Sequence, residues 1–411
     1  WGTADGRDGY DFVEWLASRD WCNGKIAFSG NSWLAISQWF IAAEQPPHLA
    51  AIAPWEGHSD MYRDDLCAGG IIENGFNERS IKGMVGPNYV EDTASMICKY
   101  PFMNSYWEDK IPCFEKIEVP AYVVASWTNP IHTSGTFRAF RKIASREKWL
   151  RIHNTQEWFD YYTPENVEDL RRFFDYYLKG IENGWDKTPR IRLSVLDPGG
   201  RDVINRPEDK FPLERTQYVK LFLDASTGTL SPNPVAKHSL VRYKSDDKKG
   251  QAIFTIRFKE DTELTGYMKL RLWVEADRGA DDMDLFVYVG KLDEQGNPLP
   301  IQVLGFPCYG AEGLIRVSRR ELDEERSTPS EPYLTHRREQ LLSPKEIVPV
   351  EIGIRPMSML WHSGQQLCVV IQGYPNPSWL DGIITGKMAV IDYQLRNRGD
   401  HIIHTGGKYD S

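Results

Sequence analysis

The chain has 411 residues, more than one hydrophobic core usually organises, so more than one domain is expected. The formal net charge of −9 argues against a nucleic acid partner. The sequence contains no run of about 18 apolar residues, so it predicts no membrane-spanning helix.

The six cysteines lie far apart and form no Cys-x-x-Cys motif. This spacing favours reduced core thiols over a disulfide framework or a zinc site. The chain starts without Met and stops just after a His-rich apolar run, and we expect both ends to be truncated. The localisation is therefore left unknown, with an intracellular location favoured.

The first third of the chain alternates between helical and extended patterns. Residues 5–20 have the periodicity of an amphipathic helix, and Ile26 to Phe28 form a short apolar run typical of a buried strand. A helical pattern begins at Trp33, and residues 49–54 form a second short buried strand. Such alternation predicts a parallel sheet covered by helices.

The junction between the first strand and its helix contains Gly30-x-Ser32. A serine on a sharp strand-to-helix turn is the context of a nucleophile elbow, in which the hydroxyl is lifted above the edge of the sheet. We therefore predict Ser32 as a nucleophile and the Trp33 N–H as an oxyanion donor. The motif departs from Gly-x-Ser-x-Gly because Leu34 occupies the last glycine position.

The alternation lapses over residues 55–117, where helix-leaning stretches are broken by glycines, and we predict an inserted helical cap. It returns with strands at 120–126 and 148–153 and a helix over about 135–145. A further helix begins at Thr163-Pro164-Glu165, with Thr as N-cap and Pro at the first position, and it ends at Gly180.

From about residue 189 the pattern changes to many short strands separated by Gly, Pro and Asp turns. This is typical of an all-β sandwich, and we predict a jelly roll. The predicted strands of this part are 190–195, 218–223, 252–258, 268–274, 285–289 and 366–371.

Motifs along nearly the whole chain resemble those of the cocaine esterase / Xaa-Pro dipeptidyl-peptidase-like (CocE/NonD) family of serine hydrolases. The similar segments are Asp8-Gly9-Tyr10-Asp11, Trp21-x-Asn23-Gly24-Lys25, Pro47-His48-Leu49, Asp60-x-x-Arg63, Gly69-Gly70, Phe173-Phe174, Tyr177-Leu178-Lys179-Gly180, Asp281-Asp282-Met283-Asp284, Gly313 to Arg319 and Trp361-His362-Ser363-Gly364.

The resemblance implies an α/β-hydrolase domain formed by 1–54 and 118–188, a helical cap at 55–117, and a C-terminal jelly-roll domain at 189–411. It implies activity on esters or amides and no cofactor. The family pattern also has an N-terminal segment with the first strands and an oxyanion tyrosine, which we expect to be missing here.

Two positions of the family's catalytic triad are altered. Asn129 occupies the position of the family's catalytic acid. On ungapped alignment, Glu157 occupies the position of the family's catalytic base. Asparagine can orient an imidazole, but it cannot balance the positive charge that forms on it.

Two other histidines lie close enough in the sequence to replace the base. His153 ends a predicted strand four residues before the expected slot, and His132 follows Asn129 by three residues. If His132 is the base, Glu157 or Asp160 is the expected orienting carboxylate. The third alternative is a site without a histidine base.

The remaining site expectations concern the substrate. His58 opens the cap, and we assign it, with Trp127 and Trp158, to substrate binding. No metal site is predicted, since the spacing of His401 and His404 is unsuited to a metal pair. The expected partner is a small molecule, with no nucleic acid and no membrane, and a homodimer is allowed.

Three functional hypotheses follow. The first is a serine hydrolase that acts on an ester or amide of a small organic acid or peptide through an acyl-enzyme at Ser32. The second is a lyase, cyclase or isomerase on the same fold, with Glu157 as acid and base. The third is a catalytically inactive binding protein.

Overall fold

The computed structural model of the protein describes residues 1–83, 86–87, 89–277, 279–387 and 393–411. The chain divides into two compact units. Unit 1 contains residues 1–65, 105–195 and 202–214, and unit 2 contains residues 66–104, 196–201 and 215–411.

The elements are numbered in chain order. The α-helices are α1 Thr3–Ala17, α2 Trp33–Ala43, α3 Gly75–Gly83, α4 Thr93–Lys99, α5 Ser105–Glu108, α6 Thr133–Lys142, α7 Glu157–Tyr162, α8 Pro164–Lys179 and α9 Trp379–Thr385. The strands are β1 Ile26–Asn31, β2 Leu49–Trp55, β3 Ala121–Ser126, β4 Lys148–His153, β5 Ile191–Val195, β6 Val203–Glu208, β7 Phe222–Asp224, β8 Thr229–Ser231, β9 Ser239–Lys244, β10 Gln251–Arg257, β11 Thr262–Ala276, β12 Asp284–Leu292, β13 Ile301–Val303, β14 Phe306–Cys308, β15 Ala311–Arg316, β16 Val348–Trp361, β17 Gln366–Gln372 and β18 Asp400–Thr405.

Unit 1 is built on a sheet whose strand order, among the described residues, is β1-β2-β3-β4-β5-β6. Strands β1 to β5 are parallel, and β6 is antiparallel to β5. The parallel sheet predicted from the alternation is thus confirmed. Because parallel strands end at one edge, the residues that follow β1, β2, β3 and β4 come together there.

The nucleophile strand lies at the margin of this sheet. Within the described residues β1 pairs with β2 alone, and most of its residues are only partly buried. The sequence had indicated a fully buried strand. The apolar run predicted the extended conformation correctly, but its burial depends on how many neighbours the strand has.

Helix α8 matches its sequence signals at all but one point. Pro164 occupies the first turn, and Gly180 ends the helix in the left-handed conformation, with φ of 67°. Thr163 precedes the helix as predicted, but its side chain makes no capping hydrogen bond. Its hydroxyl donates instead to the Phe159 carbonyl, 2.7 Å away, and so joins α8 to α7.

The predicted cap, 55–117, contains α3, α4, α5 and shorter helical turns, and it is divided between the two units. Residues 66–104 belong to unit 2, where Gly69 has a φ of 58° and a Cβ there would lie 2.0 Å from the Leu314 carbonyl oxygen. Two of the motifs quoted above, Gly69-Gly70 and the run from Gly313, therefore meet within unit 2. A cap over the active edge remains a prediction.

Strands β5 and β6 differ from the predicted boundary at residue 189. The alternating pattern of residues 190–195 had assigned them to the β-rich domain. In the structure β5 pairs with β4 and continues the sheet of unit 1. The reason is that a strand covered on one face has the same period of two in either type of sheet.

Unit 2 contains a sheet in the order β7-β8-β10-β17-β12-β15-β16-β11-β18-β9 among the described residues, and its pairings are antiparallel apart from β8 with β10. The predicted strands at 252–258, 268–274, 285–289 and 366–371 correspond to β10, β11, β12 and β17. The prediction at 218–223 was too long, because only Phe222–Asp224 is extended in the sheet. The C-terminal part is thus β-rich.

The six cysteines are free, as expected, but only Cys67 and Cys368 are buried. Their expected place in the core was therefore wrong for the other four. None of the described helices combines the length and the apolarity needed to cross a membrane.

A buried ion pair joins β12 to β15 in unit 2. Asp284 is fully buried, and Arg316 is 1% exposed. Arg316 Nε and Nη2 donate to the two carboxylate oxygens of Asp284 over 2.7 and 2.9 Å. This bidentate geometry compensates the cost of removing both charges from water.

We predict that Asp284→Ala lowers the free energy of unfolding by about 3–5 kcal/mol, because the Arg316 guanidinium is left charged and buried without its partner. Urea unfolding measures this change. The matched control is Glu78→Ala, which removes the exposed pair with Lys82 and is expected to cost less than about 1 kcal/mol. Equal effects of the two substitutions would contradict the prediction.

Candidate active site

The backbone turns sharply between β1 and α2. Ser32 has φ of 55° and ψ of −117°, a conformation that non-glycine residues rarely adopt and that costs about 1–3 kcal/mol. Its N–H donates to the carbonyls of Trp55 and Glu56, 3.1 and 3.0 Å away, and these bonds hold the turn against the end of β2. The result is the strand–turn–helix geometry predicted for a nucleophile elbow.

The motif around the turn keeps the glycine that the geometry requires. Gly30 has φ of 147°, and a Cβ there would lie 2.4 Å from the Cβ of Leu34. Leu34 is 62% exposed, so its side chain is accommodated by solvent rather than by packing. The departure from Gly-x-Ser-x-Gly is therefore compatible with the turn.

His132 is the histidine that contacts the serine. Its Nε2 lies 3.0 Å from Ser32 Oγ, and the residue is 2% exposed. Asn129 Oδ1 accepts hydrogen bonds from the N–H groups of Ile131 and His132, over 3.1 and 3.2 Å. Asn129 thus fixes the turn that presents the imidazole just ahead of α6.

The environment of His132 keeps the imidazole neutral. Burial, with a smaller contribution from His58, lowers the pKa of His132 well below its usual value. Among the described residues, His132 Nδ1 has no hydrogen-bond partner. For Nε2 to accept the Ser32 proton, Nδ1 must carry the ring proton. Within the described part of the chain no carboxylate accepts a hydrogen bond from this Nδ1–H, whereas one does in a conventional triad.

Glu157 supplies a carboxyl group on the Nε2 side of the imidazole, the side that also faces Ser32. Its Oε2 lies 3.8 Å from His132 Nε2 and accepts a hydrogen bond from Asn129 Nδ2 over 3.3 Å. Gln156 positions Glu157, the first residue of α7. The Gln156 side-chain oxygen accepts hydrogen bonds from the N–H groups of Trp158 and Phe159 and so caps the start of this helix. Burial, and then the charge of Glu56, raise the pKa of Glu157 well above its usual value.

His153, the alternative base, is directed elsewhere. Its Nε2 lies 2.5 Å from Glu56 Oε1, although the two atoms are not aligned for a hydrogen bond, and 3.6 Å from Asp160 Oδ2. His153 is the last residue of β4, paired in register with Ser126, and its ring is held between these carboxylates. The contacts of its imidazole therefore differ from those predicted for a base on Ser32.

Asp160, the other proposed orienting carboxylate, is bound by different partners. It forms an ion pair with Arg151 and accepts the Trp55 indole N–H over 3.0 Å. The charges of His153 and Arg151 help to lower its pKa, against the effect of burial. Asp160 thus stands behind His153, whereas Glu157 is the carboxyl near His132.

Glu56 was not predicted from the sequence. It directly follows β2, is 1% exposed, and has a φ of 52°. Its Oε2 accepts hydrogen bonds from Ser126 Oγ and Asn129 Nδ2, over 3.0 and 2.9 Å. The signal that could have identified it is a charged residue at the carboxyl end of a buried parallel strand.

His58 and Trp33 lie around the same edge. The His58 ring centre is 6.3 Å from that of His132, and burial lowers its pKa to about 4. The ring of Trp1 packs edge-on against both Trp33 and His58. Trp33 is the first residue of α2, so its N–H precedes the hydrogen-bonded ladder of the helix.

The two other predicted substrate-binding residues are placed differently. Trp127 is 4% exposed, stacks on Phe137 and donates its indole N–H to the Ser194 carbonyl over 2.6 Å. This packing leaves its ring in the core rather than on a substrate surface. Trp158 is 42% exposed, and it contributes its backbone N–H to the start of α7. Over the described part of the chain, no cluster of three or more His, Cys, Asp and Glu is arranged to hold a metal ion.

Comparisons with known proteins agree with the motif resemblance. The model of the X-Pro dipeptidyl-peptidase (S15 family) matches residues 1–156, and the model of the X-Pro dipeptidyl-peptidase C-terminal non-catalytic domain matches residues 183–411. A CocE/NonD family hydrolase from Staphylococcus aureus is 38% identical, with a TM-score of 0.94 over 100% of this chain and 75% of that one.

More distant proteins share parts of the sequence or the fold. The cocaine esterase of a Rhodococcus species is 23% identical over 282 residues, which cover 54% of this chain and 48% of the esterase. This chain thus spans about half of that curated relative. An α-amino acid ester hydrolase, 13% identical, has the same fold, with a TM-score of 0.70 over 98% of this chain and 78% of that one.

The two family models together cover most of the sequence, and the Staphylococcus aureus hydrolase aligns with all of it. The expected fold of an α/β-hydrolase domain followed by a β-rich domain agrees with these matches. The chain belongs to the CocE/NonD family of hydrolases.

Proposed function

We propose that the protein is a serine hydrolase that cleaves an ester or amide of a small organic acid or peptide through an acyl-enzyme at Ser32. The observation that carries the proposal is the 3.0 Å approach of His132 Nε2 to the hydroxyl of a serine in a strained strand-to-helix turn. Membership of a hydrolase family supports the same reaction class.

In the proposed mechanism His132 replaces the base of the conventional triad. Its Nε2 takes the proton of Ser32 as Oγ bonds to the carbonyl carbon, and later gives that proton to the leaving group. The Trp33 N–H, at the positive end of α2, donates to the oxyanion. Glu157, 3.8 Å from Nε2, is the carboxyl group that faces the imidazolium as it forms.

The proposed substrate is a small molecule. The names of the relatives, a cocaine esterase and an α-amino acid ester hydrolase, support an ester more directly than a long peptide. Of the predicted substrate-binding residues, His58 and Trp158 are retained as substrate contacts. The His58 ring centre lies 6.3 Å from that of His132, and Trp158 is 42% exposed. Trp127 is not proposed again, because its ring is buried in the core.

The other hypotheses have less support. The family found by the comparisons does not favour a lyase, cyclase or isomerase, nor an inactive binding protein. The jelly-roll topology of the C-terminal domain, the cap and a homodimer remain predictions that the site does not require.

We predict that a fluorophosphonate labels Ser32 and that Ser32→Ala abolishes this labelling. The reagent reacts with an activated serine, and among the described residues Ser32 is the serine whose hydroxyl lies within hydrogen-bond distance of an imidazole. Intact-protein mass spectrometry followed by peptide mapping measures the label. The proposed function is wrong if the folded protein is unlabelled at Ser32, or if Ser32→Ala retains the label.

Substitution of the two histidines distinguishes the candidate bases. We predict that His132→Gln slows labelling on the order of 10²–10⁴-fold, the usual contribution of a general base. His153→Gln is the matched control, because its ring contacts Glu56 and Asp160 instead of Ser32. A larger loss in His153→Gln than in His132→Gln would assign the base to His153.

A further inference from the structure

The buried carboxyl groups of Glu56 and Glu157 accept hydrogen bonds from the same side-chain amide, that of Asn129. Asn129 Nδ2 donates to Glu56 Oε2 over 2.9 Å and to Glu157 Oε2 over 3.3 Å. All three residues are at most 4% exposed. Neighbouring carboxyl groups away from water do not both ionise, because each charge raises the free energy of the other. The pair is therefore expected to hold one negative charge and one proton at neutral pH.

The contacts assign the negative charge to Glu56. It accepts a second hydrogen bond from Ser126 Oγ over 3.0 Å, and the imidazole of His153 lies 2.5 Å from its other oxygen. Glu157 has the weaker bond to Asn129, and burial together with the Glu56 charge raises its pKa. The proton therefore resides on Glu157.

Other titratable groups, some of them charged, surround this pair from each neighbouring element. His132 approaches Glu157 from the start of α6, and His58 faces His132 from the segment after β2. His153 at the end of β4 separates Glu56 from Asp160 of α7, and Arg151 neutralises Asp160. Glu56 is thus the one charged carboxylate that shares a hydrogen-bond donor with Glu157 among the described residues.

We propose that Glu56 is a positioning residue that controls, through Asn129, whether the Glu157 carboxyl facing His132 is ionised, and so determines the pH above which the enzyme works. The inference rests on the proposed function. As the pH rises, Glu157 releases its proton to solvent. Ser32 Oγ then transfers its proton to His132 Nε2 while bonding to the acyl carbon. The Glu157 carboxylate stabilises the imidazolium until Nε2 gives that proton to the leaving group, whose bond to the acyl carbon breaks.

The test measures the pH dependence of fluorophosphonate labelling at Ser32 in the full chain. Removing the Glu56 charge in Glu56→Gln lowers the pKa of Glu157. The acid limb of the profile, the pH range over which the labelling rate rises, is therefore expected to move to lower pH by roughly 1–2 units. Glu73→Gln is the matched control. Glu73 is another buried glutamate with a pKa raised by burial, and it is hydrogen-bonded to Phe76 and Asn77. Its substitution should leave the limb in place.

A second variant moves the limb in the opposite direction. Asn129→Asp retains the oxygen that accepts the His132 N–H, but it replaces the shared donor with a third carboxyl group. It is expected to raise the pH of the limb, and it serves as the test if Glu56→Gln does not fold. A purely structural role would reduce the labelling rate without displacing the limb. The inference is overturned if the folded variants keep the wild-type limb.

Infrared titration separates this inference from the proposed function. The protonated carboxyl band that disappears in Glu157→Gln identifies Glu157, and its titration should move to lower pH in Glu56→Gln. If Ser32 is not labelled, the hydrolase proposal fails, while the shift of this band still tests the coupling between the carboxyl groups. An unshifted Glu157 band contradicts the coupling even in a labelled enzyme.

Discussion

The parallel register of the first sheet determines the geometry of the candidate site. Asn31 is paired with Trp55 and Ser126 with His153, so the residues that follow these strands are brought to one edge. The two hydrogen bonds from the Ser32 N–H to the end of β2 then hold the serine in a conformation it would otherwise avoid. Every contact proposed for catalysis depends on that alignment.

The altered triad positions acquire a physical explanation from this alignment. Asn129, at the predicted position of the acid, accepts the N–H of His132 and so holds the turn from which the His132 imidazole reaches Ser32. The base slot, Glu157, brings a carboxyl group to the same imidazole nitrogen. Relative to the pattern that the motif resemblance implies, the positions of the imidazole and the carboxyl group are exchanged between the two loops. Among the described residues His132 Nδ1 has no hydrogen-bond partner, so the proposed mechanism takes its charge compensation from the Nε2 side.

Burial makes this arrangement sensitive to charge. It lowers the pKa of His132 well below its usual value, and burial together with the charge of Glu56 raises the pKa of Glu157 well above its usual value. In this buried site the ionisation of either His132 or Glu157 alone raises the free energy. Ionisation of Glu157 and protonation of His132 support each other, which links the reaction to the state of the carboxyl pair.

Local signals in the sequence predicted much of this structure. The turn at Ser32, the start of α8 at Pro164 and its end at Gly180 are determined by residues within a few positions of each other, and all three were predicted. The nearness of His132 to Ser32 was one of three alternatives, because it depends on the path of the loop after β3. Glu56 was missed because its partners lie 70 or more residues away in the sequence. The assignment of β5 to the first sheet likewise requires knowledge of its neighbour.

The most direct measurement is a crystal structure of the protein after reaction with a fluorophosphonate. The account predicts phosphorus bonded to Ser32 Oγ, its oxygen within hydrogen-bond distance of the Trp33 N–H, and the His132 imidazole in contact with the adduct. An adduct on another residue, or one that contacts His153 while His132 is turned away, would contradict it.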